Sequence, residues 1–567
     1  MSLSRTADAA TPIEADSKQR KQIPGARSFG SPLVLTVIAT LLFLPGLGAR
    51  DFWAPGEPIY GEVIRVMFEK NNWLVPMLNG HIYADKPVLY FWLALVVSKL
   101  GGGVSEWTVR LPTALGAFGL VLTTYQLGRT FYDRETGFLA GLILATTHRV
   151  LWESRFLRLD TVLSFFLLLG FFWFLKAFLG KGPKYFFIGA YICFAFATLT
   201  KGPIGLVLPG LAILILIGSS GRWSELKHMR LVSGAILVIA LIVPWLLALH
   251  LRGEDQWIHD FIWIHNVRNY ALEPIGHIRP FYYYLLNLPL DFLPWTMALP
   301  GALIFYYPWI ERLKNLPTLA LSCWFVTTFV FFTLSKSKIA YYLLPLFPSV
   351  ALLTGNYLRA LMSGDRLQGN HWRCTSALFY FLAAILFVGG LAIPIVTYKV
   401  DRGLFVWALA VSMSLTAGSF IMLLALKKEA LQLFLWSFVG VLVATSLVSS
   451  IAVLPYLDKY KSPRPLGEFI RNHVPESLPV YIFQSTMSDF NYYARRDIIP
   501  VVLFEDGIGK MTKSSSPVYL IINDKDLNEI ERFRENRDIV TEQRIGERTW
   551  YLLRVPPVAS YQALKAS

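Results

Sequence analysis

Charge is scarce in this chain. Only 16% of its 567 residues are Asp, Glu, Lys or Arg, against about a quarter in a soluble protein. With 54% of the residues hydrophobic and 15% aromatic, that scarcity excludes a multidomain soluble enzyme of this length. The charges stand in short clusters between apolar runs of membrane-spanning length. Cysteine is scarce too. Cys193, Cys323 and Cys374 lie in or beside apolar runs without metal-ligand spacing, which excludes a disulfide framework. Acidic residues number 38 against 53 basic ones. The basic excess sits next to apolar spans, where it reads as topology signal and anionic-lipid contact, not as a nucleic-acid surface. No apolar h-region occurs within residues 1–30, so a disordered cytoplasmic arm ahead of an uncleaved first helix is expected there. No internal repeat supports an inverted-repeat transporter.

What is present is hydrophobic length. Apolar runs fall near 31–49, 108–128, 136–152, 161–180, 185–200, 203–219, 231–250, 282–308, 317–334, 339–361, 376–398, 404–426 and 431–455. A further run, 88–100, is too short to cross a core of roughly 30 Å at about 1.5 Å per residue. If it stays on one side, the basic clusters of the later loops share a side with the N-terminal arm, as the positive-inside rule prefers. The expected fold class is therefore a polytopic α-helical membrane protein of about thirteen transmembrane helices. Its N-terminus is cytoplasmic, and a small C-terminal α/β domain lies outside. The domains are an arm (1–30), a transmembrane domain (31–455) whose first outer loop is 50–107, and a periplasmic domain (456–567). The last is expected to hold helices at 464–473 and 524–534 and strands near 479–484, 517–522, 538–543 and 549–554.

The first outer loop is long, acidic and aromatic. Pro58 suits the first turn of a helix on which Ile59, Val63, Val66 and Met67 form an apolar face, with Glu57 at its N-terminal edge and Glu62 and Glu69 expected in solvent. Glu57 is open to two readings, a helix-dipole anion or a functional carboxylate. Lys86, after Tyr83 and Asp85, reads as a snorkelling lysine or as a cation for a lipid phosphate. Asp160 beside Arg158 reads as a helix cap or part of an anion-handling site. The topology gathers these residues at the outer membrane face with Lys201, the segment 250–279 and Ser335-Lys336-Ser337-Lys338, and charges at a membrane edge commonly mark function. His265 and His277 are the histidines to join Asp85 in a weak metal or acceptor site.

These residues resemble a known family. Trp53-Ala54-Pro55-Gly56-Glu57-Pro58, Tyr83-Ala84-Asp85-Lys86-Pro87, Arg110-Leu111-Pro112, Arg158-Leu159-Asp160, Thr200-Lys201-Gly202, His277-Ile278-Arg279-Pro280 and Ser335-Lys336-Ser337-Lys338 with Tyr341 run in the order seen in GT-C lipid-phosphate-dependent glycosyltransferases. The bacterial branch with aminoarabinose transferases and protein mannosyltransferase relatives is the most similar. The resemblance implies a cell inner-membrane, inverting transfer of a sugar from a polyprenyl-phosphate donor to a hydroxyl of a lipid (lipid A-like), glycan or protein on the outer face. No nucleic acid and no required cofactor are expected; a divalent metal ion stays open, with Asp85 and His265 as its first ligands. A lipid phosphate leaves readily when positive charge meets it. By resemblance Lys86, Arg158, Lys336 and Lys338 bind that phosphate, while Tyr60, Tyr83, Arg110, Lys201, His277 and Tyr341 contact substrate. A carboxylate must take the acceptor proton. The family usually has Asp where this chain has Gly56, so the catalytic expectation falls on Glu57 and then Asp160. The alternative reading is a transporter or flippase of lipid-linked sugars.

Overall fold

The computed structural model describes residues 30–272, 277–307, 309–363, 370–483, 488–501, 516–529 and 538–555. The expected N-terminal arm lies outside them apart from Gly30, as does the end of the expected helix 524–534. Each apolar run carries helix. The chain opens with α1 (Pro32–Phe43), α2 (Glu57–Glu69), α3 (Leu89–Leu100), α4 (Glu106–Phe131), α5 (Arg134–Ala145), α6 (His148–Glu153), α7 (Asp160–Phe178) and α8 (Phe186–Lys201). Among the described residues, six helices are long and apolar enough to cross a bilayer. They are α7, Leu231–His250, Leu316–Leu334, His371–Val400, Arg402–Lys427 and Leu431–Tyr456. A seventh forms if Tyr283–Asp291 and Trp295–Phe305, which meet at 101°, count as one broken span. The protein is a polytopic helical membrane protein with a small C-terminal sheet domain.

Two local choices shape the end of the bundle that carries the long first loop. At twelve residues, α3 reaches only about 18 Å, so it ends before a bilayer does, as its length predicts. Helix α2 starts where Pro58 supplies a preset φ after Gly56, whose φ of 102° few L side chains adopt. Its buried face (Val63, Ile64, Met67) packs with Phe52, Tyr90, Phe91, Trp245 and Trp257 in a core of its own. Glu62 belongs to that buried face as well. It is 0% exposed and holds Arg65 at 2.7 Å, which corrects its expected place in solvent. Below, α4 and α5 approach so closely at Gly128 and Gly137 that a Cβ on Gly128 would stand 2.5 Å from the Gly137 Cα. Small residues at a crossing allow this packing inside a membrane.

The C-terminal domain is a five-stranded sheet. Following the loop hairpin β1 (Met77–Leu78) and β2 (His81–Ile82), its strands are β3 (Val480–Phe483), β4 (Ile499–Val501), β5 (Val518–Asn523), β6 (Asp538–Ile545) and β7 (Arg548–Val555). Their order is β4-β3-β5-β7-β6, with β3 parallel to both neighbours and β7 antiparallel to both of its own. The helix Arg464–His473 and four of the strands match the pattern in the sequence. Strand β4 was not anticipated, because three residues are too few to show an alternation.

This domain grips the long loop after α1. Asp458 accepts from the Asp51 N–H (2.9 Å) and the Trp53 indole N–H (2.6 Å). The Tyr493 hydroxyl accepts from the Phe52 N–H (2.8 Å) and donates to Glu106 (2.9 Å). Asp489 accepts from the Gly56 N–H at 3.1 Å. Burial pushes the Asp489 carboxyl up to about 6 from 3.8, with the Gly56 hydrogen bond opposing it. An acid whose folded-state pKa is raised binds its proton more tightly folded than unfolded. Stability therefore falls as pH rises from about 4 to 6 and stays reduced above that. Asp489→Asn is expected to stabilise the protein at pH 7 by at most about 3 kcal/mol and by nearly nothing at pH 4. Thermal unfolding of wild type and variant at the two pH values checks this, and an equal gain at both would refute it.

Candidate active site

The loops over α7 and α8 enclose a cavity of about 260 Å³ lined by Tyr60, Asp85, Lys86, Arg158, Asp160, Lys201, His265, His277, Ser337, Tyr341 and Tyr342. Most of these side chains arrive from element ends, His265 from within the helical segment Asp260–Leu272 being the exception. Tyr60 lies on the first turn of α2, Asp85 and Lys86 precede α3, Asp160 opens α7 and Lys201 closes α8. His277 is set by pairing of Ile278 with Ser337, and its carbonyl accepts from the Lys338 N–H at 3.0 Å.

Three cations face two carboxylates. The Lys86 ammonium donates to Asp85 Oδ1 (2.9 Å) and to its carbonyl (3.1 Å). Asp85 also accepts from the Tyr83 hydroxyl (3.0 Å) and lies 3.3 Å from His265 Nδ1. Burial alone would raise the Asp85 pKa and lower that of Lys86, but their mutual attraction wins. Asp85 is held far below the usual carboxylate range, helped by His265, and Lys86 well above the usual lysine range. Both keep their charge at neutral pH. Arg158 lies over the Tyr341 ring at 4.9 Å, and its buried Nε has no hydrogen bond, the Glu153 carboxylate being 3.8 Å away. Such a guanidinium has donors to offer a bound anion. Lys201 donates to Asp160 Oδ1 at 2.5 Å and sits 4.2 Å over the Tyr342 ring. The other Asp160 oxygen takes no hydrogen bond from the described residues. Asp160 is thus fixed by one oxygen and open at the other.

A second cavity, of about 380 Å³, shares Asp85, Lys86, Lys201, His265, Ser337 and Tyr342 with the first. Its far side is apolar, with Ile204, Val207, Phe331 and Phe332. A polar chamber and an apolar one therefore meet at two lysines.

Five expected site residues line neither cavity. Glu57 is 1% exposed and takes six hydrogen bonds, from Arg50 (2.7 and 3.2 Å), Arg110 (3.0 and 3.2 Å), the Trp53 N–H (3.1 Å) and the Leu157 N–H (2.7 Å). Nothing is left to accept a substrate proton, which corrects its placement in the reaction chamber. Arg110 is wholly buried on Glu57. Tyr83 acts behind Asp85. Lys338 turns inward and donates to the Ser335 carbonyl, and Lys336 is exposed beyond both cavities. In extended backbone alternate side chains share a face, so the register that puts Ser337 in the chamber takes both lysines out. The sequence reading missed Tyr342 and Glu153, and carried Ser337 only as part of the run around Lys336 and Lys338. Tyr342 had a signal, as the neighbour of Tyr341 in a run read for its first aromatic only.

A metal does not fit here. Among the described residues no three His, Cys, Asp or Glu side chains could hold one ion. The Asp85–His265 pair already has a lysine ammonium on the shared oxygen.

A transferase from Aeromonas salmonicida, undecaprenyl phosphate-alpha-4-amino-4-deoxy-L-arabinose arabinosyl transferase, is 31% identical over 400 residues, covering 68% of this chain and 70% of its own length. The chain belongs to that transferase family. The chain also spans 59% of the Proteus mirabilis relative's length at 30% identity and 57% of its own. It spans 62% of the Enterobacter relative at 31% identity and 60% of its own. The model of dolichyl-phosphate-mannose-protein mannosyltransferases matches residues 85–247, a segment that includes Asp85, Lys86, Arg158, Asp160 and Lys201. The fold is that of the crystal structure of ArnT from Cupriavidus metallidurans bound to undecaprenyl phosphate. Its TM-score is 0.72 at 20% identity, covering 92% of this chain and 97% of that one. An apo oligosaccharyltransferase from Archaeoglobus fulgidus has a TM-score of 0.53 at 13% identity, covering 86% and 68%. The GT-C architecture expected from the sequence is therefore present, and the relatives named argue for no transporter.

Proposed function

We propose that the chain is an inverting, polyprenyl-phosphate-dependent glycosyltransferase of the cell inner membrane. Undecaprenyl phosphate-linked aminoarabinose is the first donor to test, because the relatives are named for it. The observation that carries the reading is the meeting of a cationic chamber and an apolar one at Lys86 and Lys201. A lipid phosphate needs that junction, since its charge and its chain want different surroundings. In this reading the chain has thirteen spans, a cytoplasmic N-terminus and a periplasmic domain from 456 onward, with the chamber on the outer face; the alternation of basic loops supports it.

Asp160 is the base in this reading. Its open oxygen takes the proton of the acceptor hydroxyl as that oxygen attacks the anomeric carbon. The bond from that carbon to the phosphate oxygen breaks, and the lipid phosphate leaves with the electron pair. Lys86 and Arg158 meet the charge that builds on it, and direct displacement inverts the anomeric centre. Lys201 orients Asp160, while Tyr60, Tyr341 and His277 border the sugar.

The test is transfer of label from undecaprenyl-phosphate sugars to acceptor in membranes. Lys86→Ala is expected to lower kcat/KM for the donor roughly a hundredfold, with Lys86→Arg recovering part of it. Wild-type membranes that transfer from no donor, or a Lys86→Ala variant with full activity, would overturn the reading.

A further inference from the structure

The largest cavity among those described, about 510 Å³, is not the transfer chamber. It is a cleft between the first outer loop and the C-terminal domain, walled by the far end of α2, the turn before α4, the helix Arg464–His473 and the segment around Tyr492. Four arginines line it. Arg65 is held by Glu62 and Glu69, at 2.7 and 2.5 Å. Arg464 is held by Asp51 and Glu468, at 3.0 and 2.7 Å. Glu106, the remaining carboxylate in the wall, accepts from Tyr493. The side chains of Arg471 and Arg495 have no hydrogen bond or ion pair with any described residue, and both are exposed to the cleft. The carboxylates are thus occupied and two guanidinium groups remain open. Arg495 moreover sits at φ 51°, left-handed backbone that few non-glycine residues adopt and that often accompanies a functional placement.

We propose that this cleft is an anion subsite in which Arg471 and Arg495 bind a phosphate of the acceptor's headgroup. Paired guanidinium groups suit the several oxygens of a phosphate. The donor phosphate has its own cations in the other chamber, which leaves the acceptor as the second anion. Helix α2 joins the two places, with Tyr60 in the chamber and Arg65 and Glu69 in the cleft. At about 1.5 Å per residue that is roughly 8–14 Å along the helix, within reach of a headgroup of one or two sugars. The acceptor part of the proposal rests on transfer occurring at Asp160; the anion subsite does not.

Two measurements separate these parts. Calorimetric titration of the full-length protein with inorganic pyrophosphate reads the subsite without any turnover. Arg471→Ala with Arg495→Ala is expected to weaken one class of pyrophosphate site at least tenfold, from lost charge-assisted bonds. Lys86→Ala should leave that class intact, and the double Arg→Lys variant should keep most of it, which separates lost charge from lost folding. No pyrophosphate binding by the wild type, or binding that only Lys86→Ala removes, overturns the subsite. Competition in nanodiscs then identifies the source. If phosphatidylglycerol at one fifth of the lipid displaces pyrophosphate from the cleft, the site reads the membrane surface and the acceptor assignment falls. In the transfer assay the Arg471→Ala/Arg495→Ala variant should raise the KM for a phosphorylated acceptor roughly tenfold, leaving the donor KM and kcat unchanged. Equal loss on a dephosphorylated acceptor overturns it.

Discussion

Asp160→Asn is expected to lower kcat for sugar transfer by roughly a thousandfold, with no matching loss of folded protein. The amide keeps the shape of the side chain and an oxygen for Lys201, whose ammonium now bonds Asp160 Oδ1 at 2.5 Å. What it loses is the open oxygen as a proton acceptor. Because Asp160 is nearly buried at the first turn of α7, no other carboxylate can swing into its place. Asp85, the second carboxylate of the chamber, is occupied by Lys86, Tyr83 and His265. Donor binding should survive, since the cations that meet the phosphate are untouched. The measurement is single-turnover transfer alongside equilibrium binding of the donor and a melting curve. A variant with wild-type turnover would remove Asp160 from the chemistry. One that loses donor binding in step with turnover would make it a structural partner of Lys201 instead.

Much of this chamber could be read from the chain, and the reason is topological. Lys86, Arg158, Asp160 and Lys201 all stand where an apolar run begins or ends, so charge alternation alone sends them to one membrane face. The thirteen-residue length of 88–100 kept α3 from being counted as a span, and the structure gives Leu89–Leu100 as a short helix. The strands of the C-terminal domain were legible through their alternation. What escaped depended on partners distant in sequence. Lys336 and Lys338 were expected in the chamber, but the bridge from Ile278 to Ser337 sets a register that presents the serine. Asp489 reaches Gly56 across 433 residues, and no local pattern announces such a contact. Glu62 is a different case. Arg65 three residues later was a visible cue that this carboxylate had a partner on its own helix face.

Glu57 shows the same limit most sharply, and it yields the largest expected change in stability. A sequence places it at a helix edge beside the membrane; it cannot show that Arg50 and Arg110, the latter 53 residues on, both fold onto it. Burial alone would raise the pKa of this carboxyl, but Arg110 and Arg50 together hold it far below the usual range. Glu57→Gln should therefore destabilise the protein by about 3–5 kcal/mol, the cost of leaving buried charges without their partner. The amide would also turn N–H groups toward donors that now converge on two oxygens. Sign and window follow from the depressed pKa. The wild-type ion cluster contributes its full stability above about pH 4.5, the ordinary glutamate value, and loses it progressively as pH falls below that. Arg110→Lys should be nearly as damaging, because one ammonium cannot replace a guanidinium that bonds Glu57 twice while reaching the Leu47, Arg50 and Asp51 carbonyls. Denaturation at pH 7 measures the loss, and turnover per folded molecule at low temperature separates it from catalysis. If Glu57→Gln melts like the wild type yet transfers a thousandfold more slowly, Glu57 is the base after all. If it melts early but the folded fraction turns over normally, Glu57 is the anchor that holds the first outer loop against α4 and α7, and so holds Tyr60 and Arg158 in the chamber.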